Sequence, residues 1–468
     1  MSIPGLGSES AYEDNLKSMS IPQGSEWRIE IPFKQILKFK VAEGILEING
    51  TELPNNVELQ LTGTKCCIYS PKQESKIEYS LVQNHELSMY EDDEFAEYTS
   101  GETNMNSVLN LHMYVESRRQ VAADHNVSNE EPSLGPRVML LGGKQSGKTT
   151  LAKTLISYAV KMNQSPILVN LNPQDGVFAL PGSISATAIS DALDVESCNG
   201  YGLTTTTTGG SPTSKQPIVK NYGFTEIKEN LDLYKYQISQ LGITVLSRLE
   251  HDARCRDSGV VVDTPPLGIK DFDIIQSIIS DFRIDLIVVL GNEKLTIDLK
   301  KKLSHKSNLQ IVKINKSPGV VEVSDKFIRM SQEVTIKEYF NGNYKTRLSP
   351  FKTDIDATGL QIYKGVKDSV SLSFLPAGDD FERDDEGNDL SKYYSAIDPS
   401  SSNVDNSIIA VTHLQSSTPG KDLLNSSVLG YIHVSKFDDE KKKLKVLLPF
   451  PGVFPRNILI STDIGYNE

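Results

Sequence analysis

An eight-residue glycine-rich motif contains the residue types that a protein needs to bind a phosphate chain. It spans 142–149, reads GGKQSGKT and matches the P-loop pattern G-x-x-x-x-G-K-[ST]. Glycines such as Gly142 and Gly147 let the main chain approach the phosphates, so that successive amide groups face the anion. In such a motif Lys148 reaches the β- and γ-phosphates, and Thr149 offers its hydroxyl to Mg²⁺. The motif therefore predicts a nucleoside triphosphate site with a divalent cation.

The segments on both sides of the motif favour this prediction over a chance match in an ordinary glycine turn. Residues 137–141 form a short apolar run, which is typical of a buried parallel strand. Residues 151–160 are apolar at helical spacing and contain neither Gly nor Pro. A strand, a loop and a helix in this order place a helix N-terminus beside the phosphates. The first residues after the loop are therefore expected to contact the nucleotide: Thr150, Leu151 and Ala152.

An acidic residue at the end of another strand completes the predicted cation site. Asp263 follows the apolar run 260–262 and precedes Thr264 and Pro265. Mg²⁺ on a triphosphate prefers oxygen ligands, and a carboxylate from a neighbouring strand end commonly supports it. The alternative is that Asp263 caps the turn that follows it. We predict that Thr149 and Asp263 together hold Mg²⁺.

The end of the next predicted strand lacks a group that a phosphoryl-transfer enzyme needs. Residues 167–169 predict a strand, and Asn170 and Asn172 follow it. In a P-loop kinase this strand end commonly supplies the carboxylate that accepts the proton of the attacking hydroxyl. An asparagine amide does not take up a proton near neutral pH. The sequence therefore predicts a pocket that holds nucleotide but lacks the usual base.

Changes of periodicity divide the chain into four parts. A flexible tail at 1–24 precedes an N-terminal domain at 25–125, in which apolar and polar side chains alternate to about residue 105 and predict a β-sandwich. Strands and helices alternate over 135–343, which predicts a doubly wound parallel sheet. Residues 344–468 return to period two and predict a small β-rich domain. The predicted fold class is α/β, with a central P-loop sheet flanked by a β-sandwich and a small α+β domain.

Several local predictions accompany this division. Asn49-Gly50 predicts a tight hairpin turn in the sandwich. Residues 107–124 are interpreted as a strand that passes into a helix, and 226–250 as one long helix. Two polar stretches, 378–389 and 399–407, are interpreted as disordered insertions because they contain few apolar residues to bury. Further strands of the central sheet are expected at 259–263, 286–290 and 310–314.

The net charge limits the ligands that the chain can bind. Its 61 acidic and 48 basic residues give a net charge of −13. A chain this acidic is not a general polyanion binder, so any contact with nucleic acid must come from a local basic patch. The three lysines at 441–443 are interpreted as a solvated hairpin turn rather than as such a patch.

Apolar runs and cysteines argue against other classes of protein. No apolar run is long enough for a membrane span, and the first residues lack the features of a signal peptide. The four cysteines have no C-x-x-C spacing, so neither a zinc site nor a disulfide framework is expected. A reducing compartment, either cytoplasm or nucleus, is therefore expected.

Several motifs resemble one family of RNA-processing proteins. The segments 50–53, 336–342 and 447–452 are the most specific, and they accompany the P-loop. Over about residues 20–468 the chain resembles the cleavage-factor ATPase and polyribonucleotide 5′-hydroxyl kinase family, most of all its fungal branch. The resemblance implies three domains, with ATP between the N-terminal β-domain and the P-loop domain.

The resemblance also implies site residues that the composition does not indicate. In this family an acidic residue and a lysine of the N-terminal domain hold the base and sugar side of the nucleotide. The matching positions are Glu26 and Lys65, which the pattern alone presents as surface charges on strands. A partner is implied too, the cleavage-factor subunit that binds the C-terminal tail of RNA polymerase II. It is expected to dock on the P-loop domain.

Two departures from the family pattern affect the expected activity. Active members resemble this chain but carry Asp-x-Asp where it has Asn170 and Asn172. They also carry two spaced arginines in a lid segment, where this chain has Arg329 and Gln332. An arginine that stabilises the charge of the transferring phosphoryl group is worth about 10³ or more in rate. Both departures predict that ATP is bound but turned over poorly or not at all.

Three functions follow from these predictions. The first is a non-enzymatic ATP-binding subunit of the nuclear pre-mRNA cleavage and polyadenylation machinery. The second is an active RNA 5′-hydroxyl kinase in which Asp175 or Asp263 serves as the base. The third is a P-loop switch NTPase with Asp263 and Thr264 as a phosphate sensor. The third leaves the N-terminal β-domain unexplained.

Overall fold

The computed structural model has three units in chain order: a β-sandwich, an α/β sheet and a second large β-sheet. It describes the following residues: 16–87, 94–128, 131–198, 200–201, 204–206, 216–368, 390–414, 420–449, 451 and 457–467. The predicted fold class is confirmed. In these parts of the chain, no helix is both long and apolar enough to cross a bilayer.

The N-terminal unit consists of two antiparallel sheets packed face to face. One sheet has the strand order β1-β8-β3-β6 and the other β5-β4-β7-β2-β9. Alternation along each strand directs one set of side chains into a shared core around Trp27 and Ile68 and the other set outward. The strands are β1 Lys17–Ile21, β2 Glu26–Ile31, β3 Gln35–Glu43, β4 Glu47–Ile48, β5 Thr51–Glu52, β6 Leu59–Leu61, β7 Thr64–Tyr69, β8 Ser75–Gln83 and β9 Ala96–Ser100.

The predicted tight turn joins β4 to β5. Ile48 pairs with Thr51, which leaves Asn49 and Gly50 as a two-residue loop. Both residues have positive φ, 48° and 75°, as the turn type favoured in two-residue hairpins requires. The turn prediction is therefore confirmed.

The central unit is a seven-stranded sheet with the order β13-β12-β11-β14-β10-β15-β16. Strands β11, β14, β10, β15 and β16 are parallel, as predicted, whereas β12 and β13 are antiparallel additions at one edge. The strands are β10 Arg137–Leu141, β11 Ile167–Asn170, β12 Ser183–Ala188, β13 Ile218–Asn221, β14 Val260–Asp263, β15 Leu286–Leu290 and β16 Gln310–Ile314.

Helices cover both faces of this sheet, and two predictions about them need correction. The segment predicted as a strand passing into a helix is helical throughout, because Val108, Leu111 and Val115 recur at helical spacing and pack on the sheet. The long helix predicted from residue 226 begins only after Asn230, whose side chain caps it. The helices are α1 Met105–Ser128, α2 Lys148–Lys161, α3 Leu231–His251, α4 Ala253–Ser258, α5 Phe272–Asp281, α6 Glu293–Lys302 and α7 Asp325–Asn341.

The C-terminal unit is a seven-stranded sheet with the order β17-β22-β21-β20-β23-β18-β19. The lysines at 441–443 lie at the predicted turn between β21 and β22. Its strands are β17 Phe351–Asp356, β18 Gln361–Gly365, β19 Tyr394–Ile397, β20 Ser407–Thr412, β21 Val428–Asp438, β22 Lys443–Leu448 and β23 Ile458–Gly465, and its short helices are α8 Ser401–Val404 and α9 Gly420–Asn425.

The prediction of disorder at 399–407 is wrong. A capping box between Ser400 and Asn403 starts α8, and Val404 is fully buried in the core of the sheet. One apolar residue in a polar stretch is therefore enough to fix it here. The other predicted insertion, 378–389, lies outside the described residues.

Candidate nucleotide site

The glycine-rich motif forms the loop between β10 and α2, as the sequence predicts. Gly147 precedes the helix with a φ of +88°, a left-handed conformation that favours glycine. A Cβ atom on Gly142 would come within 2.6 Å of the Ser146 hydroxyl, so the loop turns too tightly there for a side chain. The ammonium group of Lys148 donates hydrogen bonds to the carbonyls of Gly142 (3.2 Å) and Gly143 (2.8 Å). The lysine therefore lies directly along the loop.

The three residues predicted to contact the nucleotide after the loop differ in their burial. Thr150 and Leu151 line the cavity next to the loop. However, the amide of Leu151 already donates to the carbonyl of Gly147. Ala152 is fully buried in the core beneath the loop. The main-chain amide of Leu151 is therefore used inside the helix, and contact of Leu151 and Ala152 with the nucleotide stays a prediction.

The two predicted cation ligands lie side by side. The hydroxyl of Thr149 donates to Oδ2 of Asp263, with 2.6 Å between the oxygens. Within the described part of the chain, Oδ1 of Asp263 is buried and has no hydrogen-bond partner. Burial, followed by the charge of Asp175, raises the pKa of Asp263 to about 7. A hydroxyl beside a buried, half-satisfied carboxylate fits the oxygen ligands that Mg²⁺ prefers.

Asn170, the last residue of β11, and Asn172 are joined by hydrogen bonds that stabilise the turn after this strand. The side-chain amide of Asn170 donates to the carbonyl of Asn172, and its oxygen accepts from the amide of Asn172. Asn172 and Asp175 line the cavity, whereas Asn170 does not. Burial raises the pKa of Asp175, and the nearby charges of Lys148 and Lys153 oppose that shift. The turn thus presents one carboxylate, three positions beyond Asn172.

One face of the N-terminal sheet forms the opposite wall of the cavity. Strands β2 and β7 are antiparallel neighbours, so Glu26, Arg28 and Glu30 share a face with Lys65. Glu26 is buried, accepts from Nε of Arg28 at 2.9 Å and accepts from the hydroxyl of Thr103. Both residues implied by the family resemblance, Glu26 and Lys65, therefore line the same cavity as the P-loop.

Helix α7 and the residues before it close the third side. Lys65 pairs with Glu30 at 2.7 Å, donates to the carbonyl of Glu322 at 3.4 Å and lies 5.5 Å from the centre of the Phe327 ring. Phe327 also packs against Phe33, with 4.9 Å between ring centroids. These contacts fasten the start of α7 to the N-terminal unit.

The P-loop side holds the same helix by polar contacts. Lys144 pairs with Asp325 at 2.9 Å, and the side chain of Gln145 donates to the carbonyl of Val323 at 2.6 Å. Further along α7, Gln332 lines the cavity, whereas Arg329 is exposed and does not. The structure therefore does not bring Arg329 together with the other predicted site residues.

Among the charged residues that line the cavity without having been predicted are Arg28 and Lys153. Arg28 binds Glu26, and Lys153 lies 4.9 Å above the ring of Tyr201. Burial lowers the pKa of Lys153, and the carboxylate of Asp175 opposes that shift. Lys153 is five residues beyond Lys148, a spacing that does not put two side chains on one helix face. Packing of the N-terminal sheet against α2 encloses it, and no local pattern indicates that packing.

The three walls enclose a cavity of about 500 Å³. That volume is typical of sites for small molecules and cofactors. A P-loop between a parallel strand and a helix, facing such a cavity, defines the class of P-loop nucleotide-binding proteins. Family models narrow this class to one family.

Three family models together match most of the chain. They are the mRNA cleavage and polyadenylation factor CLP1 P-loop over 142–342, the N-terminal beta-sandwich domain of polyadenylation factor over 20–122, and pre-mRNA cleavage complex II protein Clp1 over 348–468. The chain belongs to the Clp1 family of mRNA cleavage and polyadenylation factors. The family resemblance deduced from the sequence is therefore confirmed.

Curated relatives and solved structures agree with this assignment. The chain is 59% identical to mRNA cleavage and polyadenylation factor CLP1 of Candida albicans, over the full length of both, and 35% identical to that of Kluyveromyces lactis over 98% of this chain and 99% of the relative. A Clp1p–Pcf11p complex has a chain that is 33% identical with a TM-score of 0.82, covering 97% of this chain and 98% of that one. A second structure, with the same identity and TM-score, describes an extended Pcf11p–Clp1p interface and ATP loss in a glycine-to-arginine mutant.

Proposed function

We propose that this chain is an ATP-binding, catalytically inactive subunit of the nuclear mRNA cleavage and polyadenylation factor, required for pre-mRNA 3′-end processing because it scaffolds partner subunits. The cavity carries the proposal, because its walls come from three segments that are far apart in sequence: the β2–β7 face, the P-loop and α7. A ligand that fills it contacts all three segments. Such a ligand stabilises their association by mass action, since it binds the assembled state alone.

The charges around the cavity support ATP with Mg²⁺ as that ligand. In this proposal Gly142 and Gly147 shape the loop, and Lys148 holds the terminal phosphates. Thr149 and the free oxygen of Asp263 support the cation. Glu26 and Lys65, on the opposite wall, hold the base and sugar side.

The geometry of the turn and the lid supports weak turnover. The side chain of Asn170 forms two hydrogen bonds with the main chain of Asn172, and neither asparagine amide can accept a proton. Gln332 donates to the carbonyl of Gln174, and Arg329 is directed to solvent. Absence of one transition-state arginine alone costs about 10³ in rate. Bound ATP would therefore persist.

A partner subunit belongs to this proposal. The similar solved structures contain Clp1p with Pcf11p, at 33% identity and nearly full coverage. We therefore expect this chain to bind the corresponding cleavage-factor subunit, the one that binds the tail of RNA polymerase II, through its P-loop domain. Function in mRNA cleavage makes the nucleus the expected location.

The deciding experiment measures retention and transfer of the γ-phosphate on the same samples. Purified protein and Lys148→Ala are incubated with γ-labelled ATP and a 5′-hydroxyl RNA oligonucleotide, and bound nucleotide is then extracted. Intact ATP from the unmutated protein only, with no labelled RNA, supports the scaffold. RNA labelling that depends on Lys148 would overturn it.

The second candidate is an RNA 5′-hydroxyl kinase. One observation favours it: the carboxylate of Asp175 lines the cavity, where it could accept the proton of an attacking hydroxyl. Asp263 is engaged by Thr149, so Asp175 is the better base in this scheme. In that case Asp175→Asn would abolish labelling but leave ATP retention intact.

A further inference from the structure

The segment 293–316 differs in charge from the rest of the chain. It contains seven lysines and two acidic residues, a net charge of +5, whereas the whole chain carries −13. All of it is described by the structure. It comprises α6, the connection that follows and β16. It is therefore a local basic patch of the kind that an acidic chain needs to bind a polyanion.

The lysines of this segment lie along one edge of the molecule. Strand β16 is the last strand of the central sheet, and α6 packs against it. Beyond β16, Ser317 and Gly319 line the nucleotide cavity. The lysine surface, as we call it, thus extends along α6 and the edge strand to the cavity rim. It consists of Lys294, Lys300, Lys301, Lys306, Lys313 and Lys316.

These lysines largely lack the carboxylate partners that other lysines of this chain have. Among the described residues, only Lys313 of the set forms an ion pair, with Glu293 at 3.5 Å. By contrast, Lys65, Lys144 and Lys337 each have a carboxylate oxygen within 3 Å. A row of like charges without counter-charges repels itself, and an external anion relieves that repulsion.

Stabilisation of the helix explains only part of this pattern. Lysines in the last turn of α6 interact favourably with the helix dipole, which accounts for Lys300 and Lys301. The effect ends within that turn, so it does not account for Lys306 or Lys316. A ligand that follows the whole surface accounts for all of them.

The surface suits a phosphate chain better than a protein partner. Protein interfaces depend on aromatic, apolar or arginine anchors. Between 293 and 316, Ile297 is the only strongly exposed large apolar side chain, and there is no arginine. A lysine ammonium group is a compact charge that can donate hydrogen bonds to phosphate oxygens in many directions, which suits a flexible strand.

We propose that the lysine surface binds single-stranded RNA through its phosphates, with the strand lying along α6 and β16. Membership of an mRNA cleavage factor family makes RNA the polyanion that this chain meets. The proposal does not depend on bound ATP. It assigns a role to charges that the nucleotide site does not use.

Fluorescence anisotropy of a labelled uridine oligomer of about 15 nucleotides tests this proposal on the full chain. The oligomer carries a 5′-phosphate, so it is not a kinase substrate. Titrations between roughly 50 and 200 mM salt give the number of phosphates contacted. For single strands, log K plotted against the logarithm of the salt concentration has a slope of about −0.7 per phosphate contacted. The variant Lys300→Glu/Lys301→Glu is compared with Lys441→Glu/Lys442→Glu, which makes the same charge change on an exposed turn.

We expect the α6 variant to weaken binding roughly tenfold and to lower the salt slope by about 1.4, while the turn variant stays near the unmutated value. Lys306→Glu/Lys316→Glu, away from the helix end, should have a similar effect. Equal weakening by both charge-matched variants would overturn the proposal, because binding would then follow net charge alone. So would competition by polyglutamate as strong as by RNA, which would make the surface a site for acidic protein. Unchanged nucleotide content in all variants separates these results from the ATP proposal.

Discussion

The side-chain amide of Gln332 donates a hydrogen bond to the main-chain carbonyl of Gln174, with 3.0 Å between nitrogen and oxygen. Gln332 lies on α7, and Gln174 lies in the turn after β11, so the contact joins the lid to the wall that carries Asn172 and Asp175. The family resemblance implies an arginine at this position in active members. Here the position holds Gln332, whose side chain ties α7 to the turn after β11.

Removing the hydrogen bond from Gln332 to Gln174 should speed nucleotide release. Gln332→Ala deletes one hydrogen bond of about 0.5–1.5 kcal/mol, which corresponds to roughly two- to tenfold in the release rate. Chase of a fluorescent ATP analogue by excess ATP measures that rate. Arg329→Ala is the matched control on the same helix, because Arg329 is exposed and does not line the cavity. Faster release from the Arg329 variant than from the Gln332 variant would contradict this assignment.

Gly50 should be more sensitive to substitution than Gly24, although both have a φ of +75°. A Cβ on Gly50 would lie 3.1 Å from the carbonyl oxygen of Thr154 and close to Tyr158, whereas one on Gly24 would meet nothing within 4 Å. Gly24→Ala should cost about 1 kcal/mol from backbone strain alone, and Gly50→Ala about 1–3 kcal/mol more from overpacking.

Urea unfolding of the two alanine variants measures this difference. The strain from positive φ is common to both, so the excess at Gly50 reports the packing of the hairpin on α2. Equal losses of unfolding free energy in the two variants would contradict this, because the hairpin would then move away from α2 without an energetic penalty.

The stability of the nucleotide-free protein should fall as pH rises from about 4 to about 7 and level off above that. The pKa of Asp263 is raised from 3.8 to about 7 by burial first and by the charge of Asp175 second. Between about pH 4 and 7 the folded protein therefore keeps a proton that the unfolded chain has released. This contribution opposes folding most above pH 7. Asp263→Asn removes it and should stabilise the protein at pH 8 but hardly at pH 4.

Unfolding in EDTA at both pH values measures this effect, and Asp439→Asn on an exposed turn is the control. The same Asp263→Asn protein should retain less ATP in the presence of Mg²⁺, since the proposed cation ligand is lost. A variant that is less stable than the unmutated protein at pH 8 would contradict the burial argument.

Restoring a carboxylate at the cavity should restore part of a kinase activity. Asn172 lines the cavity, so Asn172→Asp, combined with Gln332→Arg, supplies both missing groups. Labelling of 5′-hydroxyl RNA should rise at least roughly tenfold over the unmutated chain, a conservative share of the 10²–10⁴ that a base contributes.

The matched control is Asn170→Asp with the same arginine. Asn170 is buried and does not line the cavity, so its carboxylate cannot reach a bound hydroxyl. Gain of activity in the control but not in the test variant would mean that the turn is arranged differently when RNA is present.

The sequence predicted features that depend on local pattern. The P-loop, the parallel strands and the hairpin at Asn49-Gly50 follow from motif spacing and apolar periodicity, and all are present. The strand predicted near residue 107 is wrong because a few alternating residues within one buried helix face imitate a strand. Domain boundaries at 25–125, 135–343 and 344–468 stay predictions.

Features that depend on tertiary packing could not be predicted from pattern. Lys153 becomes a cavity residue only because the N-terminal sheet covers α2, and Arg28 only because β2 pairs with β7. Glu26 and Lys65 were reached through family resemblance, since charged residues on strands ordinarily face water. Arg329 shows the opposite case, a motif match whose side chain points away from the cavity.

Helix α2 begins at the phosphate loop and, two to three turns later, carries the β4–β5 hairpin. Thr51 shares a hydrogen bond with Ser157, and Tyr158 donates to Glu47. The helix therefore connects the phosphate loop, at its N-terminus, to the N-terminal domain, which packs along its side. We therefore expect a tilt of the loop to shift the hairpin, and a displaced hairpin to shift the loop. We expect a subunit bound to the N-terminal domain to respond to bound nucleotide without contacting the nucleotide itself.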